Sequence, residues 1–155
     1  MTPRHQTALA LLLTMGLIPA AATAQDEGFE RGKNPFQREF DYRVGEDLRP
    51  GVQIEGLTWY LVNISPKDPD DLRPGRPVTT YIRLGFENTT DQTLNAVAVL
   101  LFEDEQGNGL DRVEIEEIRV PAGDSEVIRQ KEKLQSDLLT ATRKLYVFCE
   151  VASDS

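Results

Sequence analysis

Histidine is almost missing from this sequence, and its absence narrows the chemistry that the chain can perform. The single histidine, His5, lies in an N-terminal segment that we expect to be removed. Without imidazole, Ser-His-Asp and Cys-His catalysis and any His-ligated zinc or copper site are excluded. A glycosidase-type carboxylate pair needs no histidine, but the chain has one tryptophan with which to line a sugar cleft. We therefore expect a protein that is not an enzyme.

Cysteine is equally scarce. Cys149 stands alone, so no disulfide can form within the chain. It shares a face of an alternating stretch with Val147 and Val151, which favours a buried, inert thiol. The alternative is a reactive thiol or a disulfide to another molecule, because an unpaired cysteine outside the cytoplasm invites pairing.

Long apolar runs are few, and the first one indicates a signal peptide. Arg4 precedes an apolar run over residues 8–17, which is shorter than the roughly 20 residues that cross a bilayer. Ala22-Thr23-Ala24 is a small-x-small cleavage site. We expect residues 1–24 to be cleaved near Ala24/Gln25. The mature protein is then expected to be periplasmic or secreted, with no membrane insertion.

Basic residues are in the minority, with 17 Lys and Arg against 26 Asp and Glu. Loss of Arg4 makes the formal net charge of −9 one unit more negative. Nucleic acids and anionic lipids need a basic footprint, so we expect neither as a partner. We expect another extracytoplasmic protein instead.

Residues 25–50 form a charged, turn-rich segment that we interpret as a flexible leader. Aromatic residues stand among its charges, and residues 40–44 alternate as a short strand would. One interpretation is a disordered leader with a strand-like patch. The other is a docking segment that orders on a partner, with Phe36, Phe40 and Tyr42 as the contact residues.

From residue 51 to 152 the hydrophobic pattern has a period of two, which predicts strands. Turn signals separate six or seven such runs over about 100 residues. This pattern predicts an all-β, immunoglobulin-like antiparallel β-sandwich. Ile115 and Ile118 fall on one face only if Glu116-Glu117 adds a residue, which indicates a β-bulge. Leu134 and Leu138 are spaced for one or two helical turns.

Residues 78–130 combine an Asn-containing turn, an apolar strand, an aromatic-acid-x-x-Gly hairpin and a Pro-x-Gly turn. The matching positions are Asn88, Phe102, Asp104, Gly107, Pro121 and Gly123. In these positions the chain resembles small bacterial secreted immunoglobulin-like domains of the FxLYD type. It departs from that family in having Phe102-Glu103-Asp104 where the family has Tyr and Asp adjacent. The resemblance implies a binding or structural role and implies no site residue.

The loop after residue 103 copies the first half of an EF-hand, with Asp104, Gln106, Asn108 and Gly109 in place. The twelfth position should be a bidentate Glu and is Ile115, so an EF-hand is rejected. Glycines at 107 and 109 provide the positive φ of a tight hairpin, and we predict a hairpin loop.

A second metal hypothesis follows from topology. Connections alternate between the two ends of a sandwich, so the loops at 66–77, 103–109 and 131–143 should share one end. Six acids there could bind calcium through oxygen ligands, attract a basic partner, or be neutralised by Lys131 and Lys133. The calcium ligands of this hypothesis are Asp68, Asp70, Asp71, Asp104 and Glu105, with Glu103 beside them.

The function that we expect is a non-enzymatic protein-interaction or accessory subunit, acting through a sheet edge, the aromatic leader or the acidic loops. The alternative is a calcium- or small-ligand-binding protein that uses loops 66–77 and 103–109. No other cofactor is expected.

Overall fold

The protein folds as an all-β sandwich of two antiparallel four-stranded sheets. The computed structural model describes residues 36–152, so the predicted signal peptide and residues 25–35 of the leader lie outside the described residues. The elements are β1 (Gln37–Asp41), β2 (Val52–Ile54), β3 (Leu57–Pro66), a 3-10 turn (Pro69–Asp71), β4 (Pro77–Asn88), β5 (Leu94–Glu103), β6 (Gly109–Val120), β7 (Ser125–Gln135), α1 (Ser136–Ala141) and β8 (Lys144–Ala152).

The strand order is that of an immunoglobulin-like sandwich, with one substitution. The sheets run β1-β8-β5-β6 and β2-β3-β4-β7. Strand β4 pairs with β3 and β7 as strand B pairs with A and E, and β5 pairs with β8 as C pairs with F. The place of the last strand, G, is taken by β1, which pairs antiparallel with β8. The described part of the chain therefore has eight strands rather than six or seven.

The core lies between the two sheets and follows the alternation of the sequence. Trp59 is buried and stacks on Phe86, with ring centroids 5.4 Å apart. The bulge predicted in β6 is present, because Ile118 lies opposite Ala96 whereas Ile115 lies opposite Ala98. Both isoleucines are buried, so the extra residue keeps them on one face.

The leader was expected to be flexible over residues 25–50, but residues 36–50 are built into the fold. After β1, the chain crosses to the other sheet, where the Gly45 N–H donates to the Ile64 carbonyl at 2.8 Å. Leu48 and Val62 exchange two backbone hydrogen bonds, of 2.8 and 2.9 Å, and β2 then pairs with β3. Residues 36–54 thus supply an outer strand to both sheets, on what we call the closed side.

Residues 131–143 were the least regular segment of the sequence. The structure extends β7 to Gln135, so Leu134 is a buried strand residue, and the helical turns begin one residue later in α1. Within residues 36–152, no helix has both the length and the apolar character needed to cross a membrane.

Candidate functional site

The two lateral sides of the sandwich differ in their outermost strands. On the closed side these are β1 and β2, with five and three residues. On the other side, which we call the open side, they are β6 and β7, with 12 and 11 residues. Very short edge strands protect a sheet from unwanted pairing, whereas long ones present a row of unpaired backbone groups. Among the described strands, none pairs with the outer edge of β6 or β7.

Strands β6 and β7 are not equivalent templates for a further strand. The register of β6 shifts twice against β5, once at the Glu116-Glu117 bulge and once near Glu103, and bulges twist an edge away from a partner. Strand β7 pairs with β4 over eleven consecutive residues without a shift, from Gln135 opposite Pro77 to Ser125 opposite Glu87. The continuous free edge on the open side is therefore β7.

The outward face of β7 is basic, although the chain as a whole is acidic. Exposed and half-buried residues alternate along the strand, and Arg129, Lys131 and Lys133 all fall on its exposed face. No acid shares that face of the strand. The Arg129 guanidinium lies over the ring of Tyr81 in β4, 5.9 Å from its centroid, which is within the range of a cation–π contact.

An apolar patch continues this face toward the other end of β7. Val127 is 51% exposed and lies opposite Gly85 of β4. The ring of Tyr60 covers Gly85, because a Cβ added there would lie 2.6 Å from Tyr60 Cζ. The exposed face of β7 therefore changes along the strand, from apolar at Val127 to basic at Lys133.

A groove of about 570 Å³ separates β6 from β7 on the open side. Isoleucines from both strands line it, together with acids on the β6 wall and bases on the β7 wall. The inward side of β7 is itself polar, since the Gln130 amide donates to the half-buried Glu132 carboxylate. The residues that line the groove are Glu114, Ile115, Glu116, Glu117, Ile128, Arg129, Gln130 and Lys131.

The three loops that topology assigned to one end of the sandwich are in contact. The Gly75 N–H donates to the Asp137 carboxylate at 3.0 Å, and the Ser136 N–H donates to the Arg76 carbonyl at 2.9 Å. The Arg143 N–H donates to the Glu103 carbonyl at 2.9 Å. The segment after β7 therefore joins the loop before β4 to the end of β5.

Asp104 organises its own hairpin. Its carboxylate accepts hydrogen bonds from the backbone N–H groups of Gln106 and Asn108 at 2.9 and 2.8 Å, and from the Asn108 side chain at 2.8 Å. The Asn108 bonds, with smaller help from Gln106 and Gly107, hold the pKa of Asp104 below its usual value. Gly107 has a φ of +80°, as this turn requires. The loop is a hairpin in which the Asp104 carboxylate accepts three hydrogen bonds from within the turn.

The remaining acids of this end do not converge. Asp68 caps the 3-10 turn by accepting from the Asp70 N–H at 3.0 Å, and Asp70 and Asp71 are exposed. Glu103 is 0% exposed and points into the protein. Glu105 lines a pocket of about 460 Å³ beside two bases, Arg43 and Arg143.

Within residues 36–152, no group of three or more acidic, His or Cys side chains is placed to hold a metal ion. The calcium hypothesis therefore rests on the sequence and on the shared end alone.

The three aromatic residues of the leader occupy different environments. Tyr42 is 4% exposed, and its hydroxyl accepts from the Ile64 N–H at 2.8 Å. Burial raises its pKa above the usual value. Phe36 and Phe40 are partly buried against the core. Tyr42 is therefore a core residue in the folded protein, and Phe36 and Phe40 keep only partial access to a partner.

Cys149 is a free, buried thiol, as its face in the sequence indicated. Burial, with a smaller contribution from the Glu150 carboxylate, raises its pKa to about 12. A thiol that is both inaccessible and protonated is a poor nucleophile. The alternation of β8 was the signal that located it.

No model of a known protein family matches this chain, and a search of the curated proteins found no significant match. The class of the protein therefore rests on its fold, an immunoglobulin-like β-sandwich whose last strand position is filled by β1.

Proposed function

We propose that this protein is a non-enzymatic interaction or accessory subunit, periplasmic or secreted, that captures an extended segment of another extracytoplasmic protein along the free edge of β7. The observation that carries the proposal is the eleven-residue register of β7 with β4, unbroken by any bulge. A strand added to such an edge completes the unpaired backbone groups of every second residue. The sequence resemblance to FxLYD-type domains supports a binding role as well.

The edge is favoured over the other two surfaces that the sequence suggested. In the aromatic leader, Tyr42 is buried in the core. In the acidic loop, the Asp104 carboxylate accepts hydrogen bonds from its own turn. Neither commitment affects β7, whose outward side chains are exposed and whose outer edge is unpaired among residues 36–152.

Photo-crosslinking at matched positions tests which surface acts. A benzophenone amino acid is placed at Val127 on β7 and, in separate variants, at Leu110 on β6, at Phe36 in the leader and at Glu105 in the acidic loop. Val127 and Leu110 are well matched, because they are the large hydrophobic residues that are exposed within the described chain, at 51% and 40%. We expect a partner adduct from the position of Val127 only. Adducts from Phe36 or Glu105 alone would reject the edge in favour of that surface.

The alternative function, calcium or small-ligand binding, is supported by the common end of the acidic loops. Its candidate ligands remain Asp68, Asp70, Asp71, Asp104 and Glu105. Calorimetric titration of the purified chain with calcium tests this alternative. Heat of binding together with a rise in melting temperature supports it, and the absence of both effects rejects it.

A further inference from the structure

We infer that the segment captured by β7 is acidic at alternate positions and ends in an apolar residue, in the pattern acid-x-acid-x-acid-x-apolar from N- to C-terminus. The inference rests on the proposed function, since it names the partner chemistry of the same edge. Arg129, Lys131 and Lys133 repeat every second residue on one face of β7. Side chains of an added strand stand beside them at the same period of two.

The direction of the pattern follows from the geometry of antiparallel pairing. An antiparallel strand meets Lys133 first, then Lys131 and Arg129, and reaches the exposed Val127 last. Opposite charges across a strand pair stabilise it and like charges destabilise it. Acids at the first, third and fifth positions therefore face the three bases, and an apolar residue at the seventh lies over Val127.

The intervening positions must be uncharged or weakly polar. They fall on the other side of the edge, beside Ile128, Gln130 and Glu132, which are half-buried. Ile128 and Gln130 also line the groove. An acid placed there would face the Glu132 carboxylate in a poorly solvated position. The edge thus distinguishes alternating acids from a continuous acidic run of the same charge.

The same bases disfavour a second copy of this chain as the occupant. Pairing of β7 with β7 of another molecule brings its bases close to those of the partner strand. Strand β6 of a second copy presents Glu114, Glu116 and Glu117, but the bulge at Glu116-Glu117 interrupts its pairing register. The Glu114 carboxylate already accepts from the Arg112 guanidinium at 2.7 Å, and Arg119 is exposed on the same strand. Charged edge residues of this kind are a known protection against self-association, and here they leave the edge open to an acidic strand.

The test uses the full chain and three synthetic peptides with blocked ends. The first has Glu at the first, third and fifth positions, Val at the seventh and Thr elsewhere. The second has the same composition with its three Glu adjacent. The third replaces each Glu by Gln. Binding is measured by fluorescence anisotropy, and the site by residue-resolved hydrogen exchange of the β7 amides.

We expect the alternating peptide to bind on the order of tenfold more tightly than either control, with slower exchange at every second amide of β7. Its affinity should fall with added salt, because exposed charge pairs are screened. The double variant Lys131→Glu/Lys133→Glu should lose at least tenfold in affinity. The charge-matched control Arg49→Glu/Arg119→Glu, with both changes outside β7, should bind like the parent.

Each contrary outcome has one reading. Equal binding of all three peptides with β7 protection overturns the acidic pattern and leaves the edge function standing. Binding of the alternating peptide without β7 protection overturns strand addition, and with it the proposed function. Protection of β7 that depends on protein concentration and not on peptide identifies a second copy as the occupant and overturns the inference. Absence of any binding or protection by the three peptides overturns both.

Discussion

Replacement of Tyr42 by Phe removes one oxygen atom and tests whether the leader is part of the folded core. The Tyr42 hydroxyl accepts from the Ile64 N–H at 2.8 Å, and Ile64 is fully buried. The hydroxyl also donates to the Ile64 carbonyl at 3.3 Å, but that carbonyl keeps the Gly45 N–H at 2.8 Å. The group that loses its partner is therefore the Ile64 N–H. The ring itself remains, and the packing around it is kept.

A buried donor left without a partner costs about 1–3 kcal/mol. The free energy of unfolding of small proteins usually falls by about 1–3 kcal/mol for each molar increase in urea. The urea concentration at the unfolding midpoint should therefore fall by roughly 1 M. The single tryptophan reports the transition, because Trp59 is buried and stacked on Phe86. Urea titration followed by Trp59 fluorescence therefore measures the free energy of unfolding without a label.

Tyr81→Phe is the matched control, because Tyr81 is half-buried on the outward face of β4. Its free energy of unfolding should stay within about 0.5 kcal/mol of the parent, as is usual for surface substitutions. If Tyr42→Phe is as stable as Tyr81→Phe, the Tyr42 hydroxyl does not satisfy the Ile64 N–H of β3. That result would contradict the packing of the leader against the closed side.

Three further predictions concern other parts of the fold. Cys149 should react with iodoacetamide at pH 8 only at the rate of unfolding, because its pKa is raised to about 12 and it is buried; rapid labelling of the native chain would contradict this. The pKa of Asp104 is lowered in the folded protein, so its contribution to stability is present above the unfolded pKa of 3.8 and is lost as the pH falls through the folded pKa. Urea titrations at several pH values should show that Asp104→Ala removes this part of the acid dependence of the free energy of unfolding. Gly85→Ala should cost about 1–3 kcal/mol, since a Cβ would clash with the Tyr60 ring and would lie 2.9 Å from the Leu61 Cβ; an unchanged melting temperature would contradict this close packing.

The alternating strands were predictable because each one buries one face against a single core. That local rule found the β6 bulge, since Ile115 and Ile118 can share a face only around an extra residue. It also found the 103–109 hairpin, where glycine and asparagine permit the turn. Both features depend on near neighbours in the sequence, and the structure has them where they were predicted.

The leader was misjudged because its pairing is non-local. Gln37 lies opposite Phe148, and Leu48 lies opposite Val62. The alternation of residues 40–44 indicated a short strand but not its partners, and the strand lies slightly earlier, at Gln37–Asp41. The acidic end shows the same limit. Topology brought its loops together, but only the contacts reveal that Asp104 is engaged in its turn and that Glu103 points inward.

The central claim is that residues 36–54 close one side of the sandwich, whereas the outer edge of β7 on the other side is unpaired among residues 36–152. Amide hydrogen exchange of the full chain without any ligand tests this claim most directly. The account predicts strong protection of the Val62 and Ile64 amides, which donate to Leu48 and to Tyr42, and fast exchange at every second amide of β7. Fast exchange at Val62 and Ile64, or uniform protection along β7, would contradict it.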